Sequence, residues 1–594
     1  MKKTALLLIL LILPFELLAD TVSLQRARSL AEKFMAADNA TRAGSLTLSY
    51  TYDVHGDLMG ETRAAGDPAI YVFNRPGGGF VLISGDDSFT PILGYSYTGS
   101  FQDDATMPAN LRAWISEMTG SINDLRAEHA KATGAIAEQW SRYESTTRAG
   151  GIKRANTVVL HETALWNQGD PFNRYCPVIT GDNPGLSITG CVATSIGILM
   201  RYYKYPARAL KDFPERKGNG YTIPFRKADY DYDWDNMLLS YKNGYTDEQA
   251  NACARLLADI GQIGNLSYAV DGTGGVTRNV IGSMIDYYGY DKNMVFMSRY
   301  YFSNNEWIAK LKAELDIRPL SHTGRSSTGG HAFVADGYDD EDRIHINWGW
   351  GGSSNGFFSI YALGNYTSTH CATFGFRPDE NGSPVPLYCY YKYERDGITY
   401  NGMELLSAAI TPNADFTLRL GAIHNNGYAS HTAEIGIGHC SKTGQLKRII
   451  STQTYSVSSL GPGYLTWFPS ITCRITDPVE AGDLIRAFFR ADGGEWTPVY
   501  SDSTVGFVDV IELDRAISAE GSSVMTYDKA AQTLTITTKD GVTITVSSQS
   551  GASTSGYVTI NGSTVVMDLA KMPSGTYTVS LMSSAGIKSF QIVR

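Results

Sequence analysis

The sequence predicts an α+β chain whose front two-thirds mixes helices with strands and whose back third is built from two β-sandwich-like units. Three observations carry that prediction. Before about residue 380, apolar residues at three- and four-residue steps stand beside strand-length apolar runs. From Pro384 onward, short strand-length runs alternate with Asn-Gly, Gly-Pro-Gly and Asp-Gly-Gly turns. Sixty glycines and thirty-six tyrosines suit a turn-rich chain, and 594 residues, at ~150 per domain, allow about four domains.

The chain opens with Met1-Lys2-Lys3, an apolar run from Ala5 to Leu13, and a small residue, Ala19, before Asp20. That order reads as a secretory signal peptide over residues 1–19. A membrane anchor is the competing reading. The run is too short to cross ~30 Å of hydrocarbon as a helix, and Pro14 and Glu16 interrupt it. The protein is therefore expected to be secreted or on the outer cell surface. A net charge of -10 with 19% charged residues argues against nucleic acid as a partner. Seven cysteines, Cys176, Cys191, Cys253, Cys371, Cys389, Cys440 and Cys473, leave at least one thiol unpaired unless an intermolecular bond forms. None are spaced as CxxC, so no metal or other cofactor is expected.

Residues 20–147 read as a small α+β unit. A helix begins at Val22 and ends near Ala37, strands at Ala69–Phe73 and Gly79–Ser84 flank Arg75-Pro76-Gly77-Gly78, and Asn110 to Trp140 reads as helical. Residues 141–157 are small, polar and basic around Gly150-Gly151, an exposed linker of the sort that is nicked.

Within residues 148–380, Thr189-Gly190-Cys191 precedes a helical pattern in which Val192, Ile196, Leu199 and Tyr203 share one face, stopping at Tyr205-Pro206. Cys191 thus falls at or just before a helix N-terminus. Unpaired N–H groups and the positive dipole end favour an anion there, here a thiolate. A helix terminus with a His⁺ partner lowers a thiol from ~8.5 to ~3.5 in the extreme. A small buried cysteine ahead of a core helix is the plainer reading. His331 opens a strand, Gly330-His331-Ala332-Phe333-Val334, and an acidic turn leads to a second strand, Arg343 to Asn347, followed by Trp348-Gly349-Trp350-Gly351-Gly352. In a hairpin of that length Asn347 or Trp348 returns beside His331 and fixes the imidazole. Tyr268 to Gly275 is a glycine-rich loop before a helix starting near Val276; without a Lys-Ser/Thr ending it is not read as a phosphate loop.

Residues 381–515 hold spaced strands, Phe416–Ile423, Ala433–Gly438 and Leu484–Arg490, and read as an immunoglobulin-like sandwich. His424, His431 and His439 lack metal-ligand spacing. In residues 516–594, Leu534, Ile536, Val542, Ile544 and Val546 alternate with Thr and Ser, a half-buried strand pattern.

The motifs Gly190-Cys191-Val192-Ala193-Thr194, Gly330-His331-Ala332-Phe333-Val334, Asn347-Trp348-Gly349-Trp350-Gly351-Gly352 and Gly356-Phe357-Phe358, with Trp166-Asn167-Gln168 and Pro171-Phe172-Asn173 upstream, occur in an order that resembles the streptopain-type cysteine peptidases. The resemblance covers residues 150–378 and, as a pro-segment, residues 20–145. It implies a papain-like catalytic domain at 148–380 behind an inhibitory pro-domain at 20–147; a plain accessory domain is the alternative for the latter. It implies Cys191 as nucleophile, His331 as general base and acid, Gln168 as oxyanion-hole donor with the Cys191 N–H, Asn347 as the group orienting His331, and Trp348 as a cover over the site. Protein and peptide substrates, and a maturation cut in the 141–157 linker, follow from the same likeness. The ending from Leu569 to Val579, with Gly586-Ile587-Lys588, resembles a type IX secretion sorting domain, which implies that export machinery as a partner; a plain β module is the alternative. A non-catalytic adhesin on the same fold, and acyl transfer in place of hydrolysis, share these motifs.

Overall fold

The computed structural model describes residues 21 to 593, except 37–44, 60–66, 104–106, 108, 146–155, 327–328, 361–369, 396–397, 408–409, 453, 481, 514–523, 529–531, 538–542, 549–552, 562–563 and 584–585. The expected signal peptide and most of the expected maturation linker lie outside the described residues. The chain divides into a unit ending at Val385 and a unit beginning at Pro386.

The first unit opens with α1 (Leu24–Ala36), in which Ala27, Leu30, Ala31 and Phe34 fall on one face and are buried. Four antiparallel strands follow: β1 (Thr47–Tyr52), β2 (Ile70–Asn74), β3 (Phe80–Ser84) and β4 (Ile92–Ser96). Alternate residues, among them Tyr71, Phe73, Val81, Ile83 and Tyr95, pack with Phe34, Trp140 and Tyr143 in one core. The helix expected from Asn110 to Trp140 is two helices, α2 (Ala109–Ala127) and α3 (Gly134–Ser145). Between them His129 takes φ 50, the Ala130 N–H turns back to Leu125 O at 2.9 Å, and the Thr133 hydroxyl caps Ile136 N–H at 3.3 Å. The break lets the two helices serve different partners: α3 packs on α1, whereas α2 packs on strands far down the chain.

The remainder of this unit runs β5 (Thr157–Leu160), the short pair β6 (Val178–Ile179) and β7 (Gly185–Leu186), α4 (Cys191–Tyr203), the pair β8 (Arg216–Gly218) and β9 (Tyr221–Ile223), α5 (Asp247–Ile263) and α6 (Thr277–Tyr288). Then come β10 (Val295–Ser298), α7 (Asn304–Leu315), β11 (Leu320–Ser326), β12 (Gly329–Asp339), β13 (Ile344–Asn347), β14 (Gly356–Phe358) and β15 (Cys371–Phe374). One sheet of eleven strands passes through both segments in the order β1-β2-β3-β4-β14-β13-β12-β11-β15-β10, with β5 on β12. The joint is the antiparallel pair β4–β14, where Tyr95 faces Phe357 and Gly94 faces Phe358. The neighbours of helix α4 explain its burial: it packs against β12, β11 and α5, so Val192 to Met200 are buried all round rather than on one stripe. The left-handed Lys204 ends it before Pro206.

In the second unit, two separate cores form. Residues 388–513 pack strands of two antiparallel sheets around Tyr388, Leu418, Leu420, Ile435, Ile437 and Phe489. Residues 524–593 form a four-stranded and a three-stranded sheet, with Ile536, Ile544, Val565, Met567 and Tyr577 in a common core. Here His431 and His439 each meet one carboxylate, Asp492 at 2.7 Å and Asp483 at 2.8 Å. All seven cysteines are free thiols.

Candidate active site

Gly190 is the N-cap of α4 at φ 81, a conformation that favours glycine. A Cβ there would also stand 2.5 Å from Thr273 O. The turn makes Cys191 the first helical residue. The backbone N–H groups of Cys191, Val192 and Ala332, the residue after His331, lie near its sulfur and favour the thiolate. Cys191 and His331 are thus brought to one place from α4 and β12, 140 residues apart in the chain.

The expected thiolate–imidazolium belongs to the enzyme freed of its front segment; in the full chain burial acts on both groups. Burial pushes the Cys191 thiol up, and the three N–H donors oppose this without overcoming it. Burial likewise pushes the His331 imidazole down. Among the described residues no hydrogen bond joins sulfur to ring. Both shifts favour a neutral thiol and a neutral imidazole, because partial burial penalises each charge.

The buried Gln168 is held by its backbone: its N–H donates to Asn167 Oδ1 at 2.7 Å, and its carbonyl accepts Thr189 N–H at 3.0 Å. Since Thr189 lies two residues before Cys191, the 166–168 segment is tied directly to the loop that presents the sulfur. The Thr189 hydroxyl is 2.9 Å from that of Thr194, inside α4. The 268–275 loop closes the other side, where the Thr273 hydroxyl donates to Ile188 O at 2.6 Å.

Asn347 and Trp348 do not stand where the sequence expectation put them. Asn347 pairs in register with Val334, three residues past His331, and its amide donates to the Thr163 hydroxyl and to Ala164 O, both at 3.0 Å. It ties down the segment leading to Gln168. Trp348 is a core residue packed between Phe333 and Phe358, with ring centroids 5.2 and 5.1 Å away, and its indole N–H is spent on Ser354 O at 3.1 Å. Trp350 is only half-buried. A residue missed in the sequence is Asn110, at the start of α2, whose Nδ2 donates to Trp348 O at 2.8 Å and to Ala332 O at 3.4 Å. Nothing local in its sequence marks it, since both partners lie more than 200 residues away.

Residues 166–358 match the model of the Peptidase C10 family, and residues 19–122 match that of the Spi protease inhibitor. The chain is 29% identical over 392 residues to the thiol protease/hemagglutinin PrtT of Porphyromonas gingivalis, covering 64% of this chain and 44% of that protein; it therefore spans less than half of that relative's length. It is 28% identical over 386 residues to streptopain of Streptococcus pyogenes, covering 60% of this chain and 91% of streptopain. Prointerpain A of Prevotella intermedia matches with a TM-score of 0.43 at 23% identity, covering 55% of this chain and 98% of that one. Residues 166–358, which enclose Cys191 and His331, are thus similar to the C10 peptidases, and the front segment is similar to a protease inhibitor.

Proposed function

We propose that the protein is an exported cysteine endopeptidase in which Cys191 is the nucleophile, His331 the general base and acid, and Gln168 the side-chain donor to the oxyanion. The observation that carries this reading is Cys191 at the first position of α4 with the Ala332 N–H, next to His331, near its sulfur. In the mature enzyme His331 takes the Cys191 proton and the thiolate attacks the scissile carbonyl. The Cys191 N–H and the Gln168 amide then stabilise the oxygen, a donor being worth roughly 3 kcal/mol of barrier. His331 returns the proton to the leaving amine, and water hydrolyses the thioester. Substrates are proteins and peptides.

Residues 20–147 act as the inhibitor in this reading. They put Asn110 on the carbonyls of Ala332 and Trp348, which supports a site held in its neutral, buried state until that segment leaves. The boundaries proposed are 1–19 for an export signal, 20–147 for the pro-domain, 148–380 for the peptidase, 381–515 for an immunoglobulin-like spacer and 516–594 for a sorting domain read by type IX export machinery. The deciding experiment incubates the purified full chain with and without reductant and an epoxide thiol inhibitor. Self-cleavage between residues 141 and 157 that vanishes with the inhibitor and in Cys191→Ala supports the reading. Uncleaved chain under every condition, together with no peptidase activity after trimming by another protease, refutes it.

A further inference from the structure

The strand that carries His331 also carries Asp336, which is 2% exposed and sits at a shift in register between Ala335 and Gly337. Its two carboxylate oxygens have separate partners. Oδ2 accepts from the Thr163 hydroxyl, and Oδ1 lies 2.5 Å from His345 Nδ1. The Thr163 oxygen accepts Asn347 Nδ2 at 3.0 Å, the same amide group donates to Ala164 O at 3.0 Å, and Asn347 Oδ1 accepts Gly349 N–H at 3.2 Å. The Ala164 carbonyl can only accept and the Gly349 N–H only donate, which fixes which way the Asn347 amide points. Its Nδ2 takes a lone pair of the Thr163 hydroxyl, whose proton goes to Asp336. The chain of bonds therefore has a single polarity that ends on the buried Asp336 carboxyl.

Both ends of this chain lead into the site. Thr163 and Ala164 run into Trp166-Asn167-Gln168, while Gly349 opens the 349–352 loop, whose Gly351 N–H donates to Trp166 O at 2.7 Å. We infer that Asp336 and Thr163 are positioning residues that act through the Asn347 amide to hold the Gln168 segment and the 347–352 loop in one relative placement. The inference rests on the peptidase reading and on Gln168 as oxyanion donor. None of the three side chains touches the reacting atoms, so their effect appears in transition-state stabilisation and not in thiol chemistry.

The test uses the mature wild-type enzyme beside Asp336→Asn, Thr163→Val and Thr163→Ser. Peptide hydrolysis, inhibition by a peptide aldehyde and alkylation by iodoacetamide are measured for each. The aldehyde forms a tetrahedral adduct whose oxygen needs the oxyanion site, whereas alkylation needs only the thiolate. Expected for Asp336→Asn and Thr163→Val is a fall of about tenfold or more in kcat, a part of the 10²–10³ lost with a whole oxyanion donor, with KM nearly unchanged. Aldehyde affinity falls by a similar factor, alkylation stays within about twofold of wild type, and Thr163→Ser restores kcat. Equal loss of hydrolysis and alkylation, or no loss of either, overturns the inference. If Asp336→Asn does not fold, the valine and serine variants at Thr163 decide it. An inactive wild-type enzyme would instead defeat the peptidase reading itself.

Discussion

Asn110 Nδ2, on the first turn of a pro-domain helix, donates to the carbonyl oxygen of Trp348 at 2.8 Å inside the catalytic segment. Together with its longer bond to Ala332 O, this puts one side chain on the residue after His331 and on the residue that follows β13. A buried polar group deprived of its partner costs about 1–3 kcal/mol, or roughly 5- to 150-fold in an equilibrium. Asn110→Ala should therefore speed self-maturation of the full chain by a factor in that range, read from a gel time course. The stability of the separated peptidase should not change, because Asn110 is not part of it. Maturation at the wild-type rate would remove Asn110 from the inhibitory contact.

The neutral site predicts a pH profile. A thiol whose pKa is raised by burial holds less thiolate at any given pH than an ordinary cysteine at ~8.5. In the uncleaved chain, iodoacetamide labelling of Cys191 should climb with pH through 9 without a plateau; after maturation the plateau should move to lower pH. Cys176, Cys253 and Cys473, each pushed up to about 12 by burial, contribute little, and Cys191→Ala gives the background. A zymogen that labels at neutral pH as fast as the mature enzyme would contradict the burial argument.

The sheet joint supplies a steric test. A Cβ on Gly94 would lie 2.5 Å from the Phe358 ring and 3.2 Å from Phe357 O. Gly94→Val must therefore open the β4–β14 pair or displace a ring that also packs on Trp114 and Trp348. Overpacking of this kind costs about 1–3 kcal/mol. The substitution should weaken pro-domain docking and raise the rate of self-maturation, while the β2–β3–β4 meander persists by circular dichroism. Unchanged maturation would mean that the joint does not restrain the pro-domain.

What was legible in the sequence was local. Gly190 at positive φ, the apolar helical pattern behind Cys191 and the strand behind His331 are each written within a dozen residues. The partner of Asn347 was not, because a one-residue shift in the β12–β13 register turns it towards Thr163, 184 residues earlier. The resemblance put Trp348 over the site as a cover, yet Phe333 and Phe358 arrive from two strands to enclose it. Burial of the thiol was not legible for a related reason: it is created by the tertiary fold, and it opposes the helix terminus that the sequence does show.

Arg343 tests how far the two segments share a core. Its guanidinium is buried, with Nε 2.8 Å from Asp339 Oδ2 and a terminal nitrogen 3.0 Å from Glu341 Oε2. Pro-domain rings complete its surroundings: Tyr95 at 5.1 Å and Phe34 at 5.7 Å from the guanidinium carbon, with the Tyr95 hydroxyl donating to Asp339 at 3.0 Å. Arg343→Met leaves the Asp339 carboxylate buried without its cation, a loss of about 3–5 kcal/mol when the pair is enclosed. Once the pro-domain is gone, Tyr95 and Phe34 no longer cover the group and water can solvate the orphaned carboxylate. Urea unfolding should then show a large destabilisation of the full chain and a smaller one, towards the ~1 kcal/mol of an exposed pair, in the mature enzyme. Equal losses in the two forms would mean that the ion pair belongs to the catalytic segment alone and owes nothing to the pro-domain's rings.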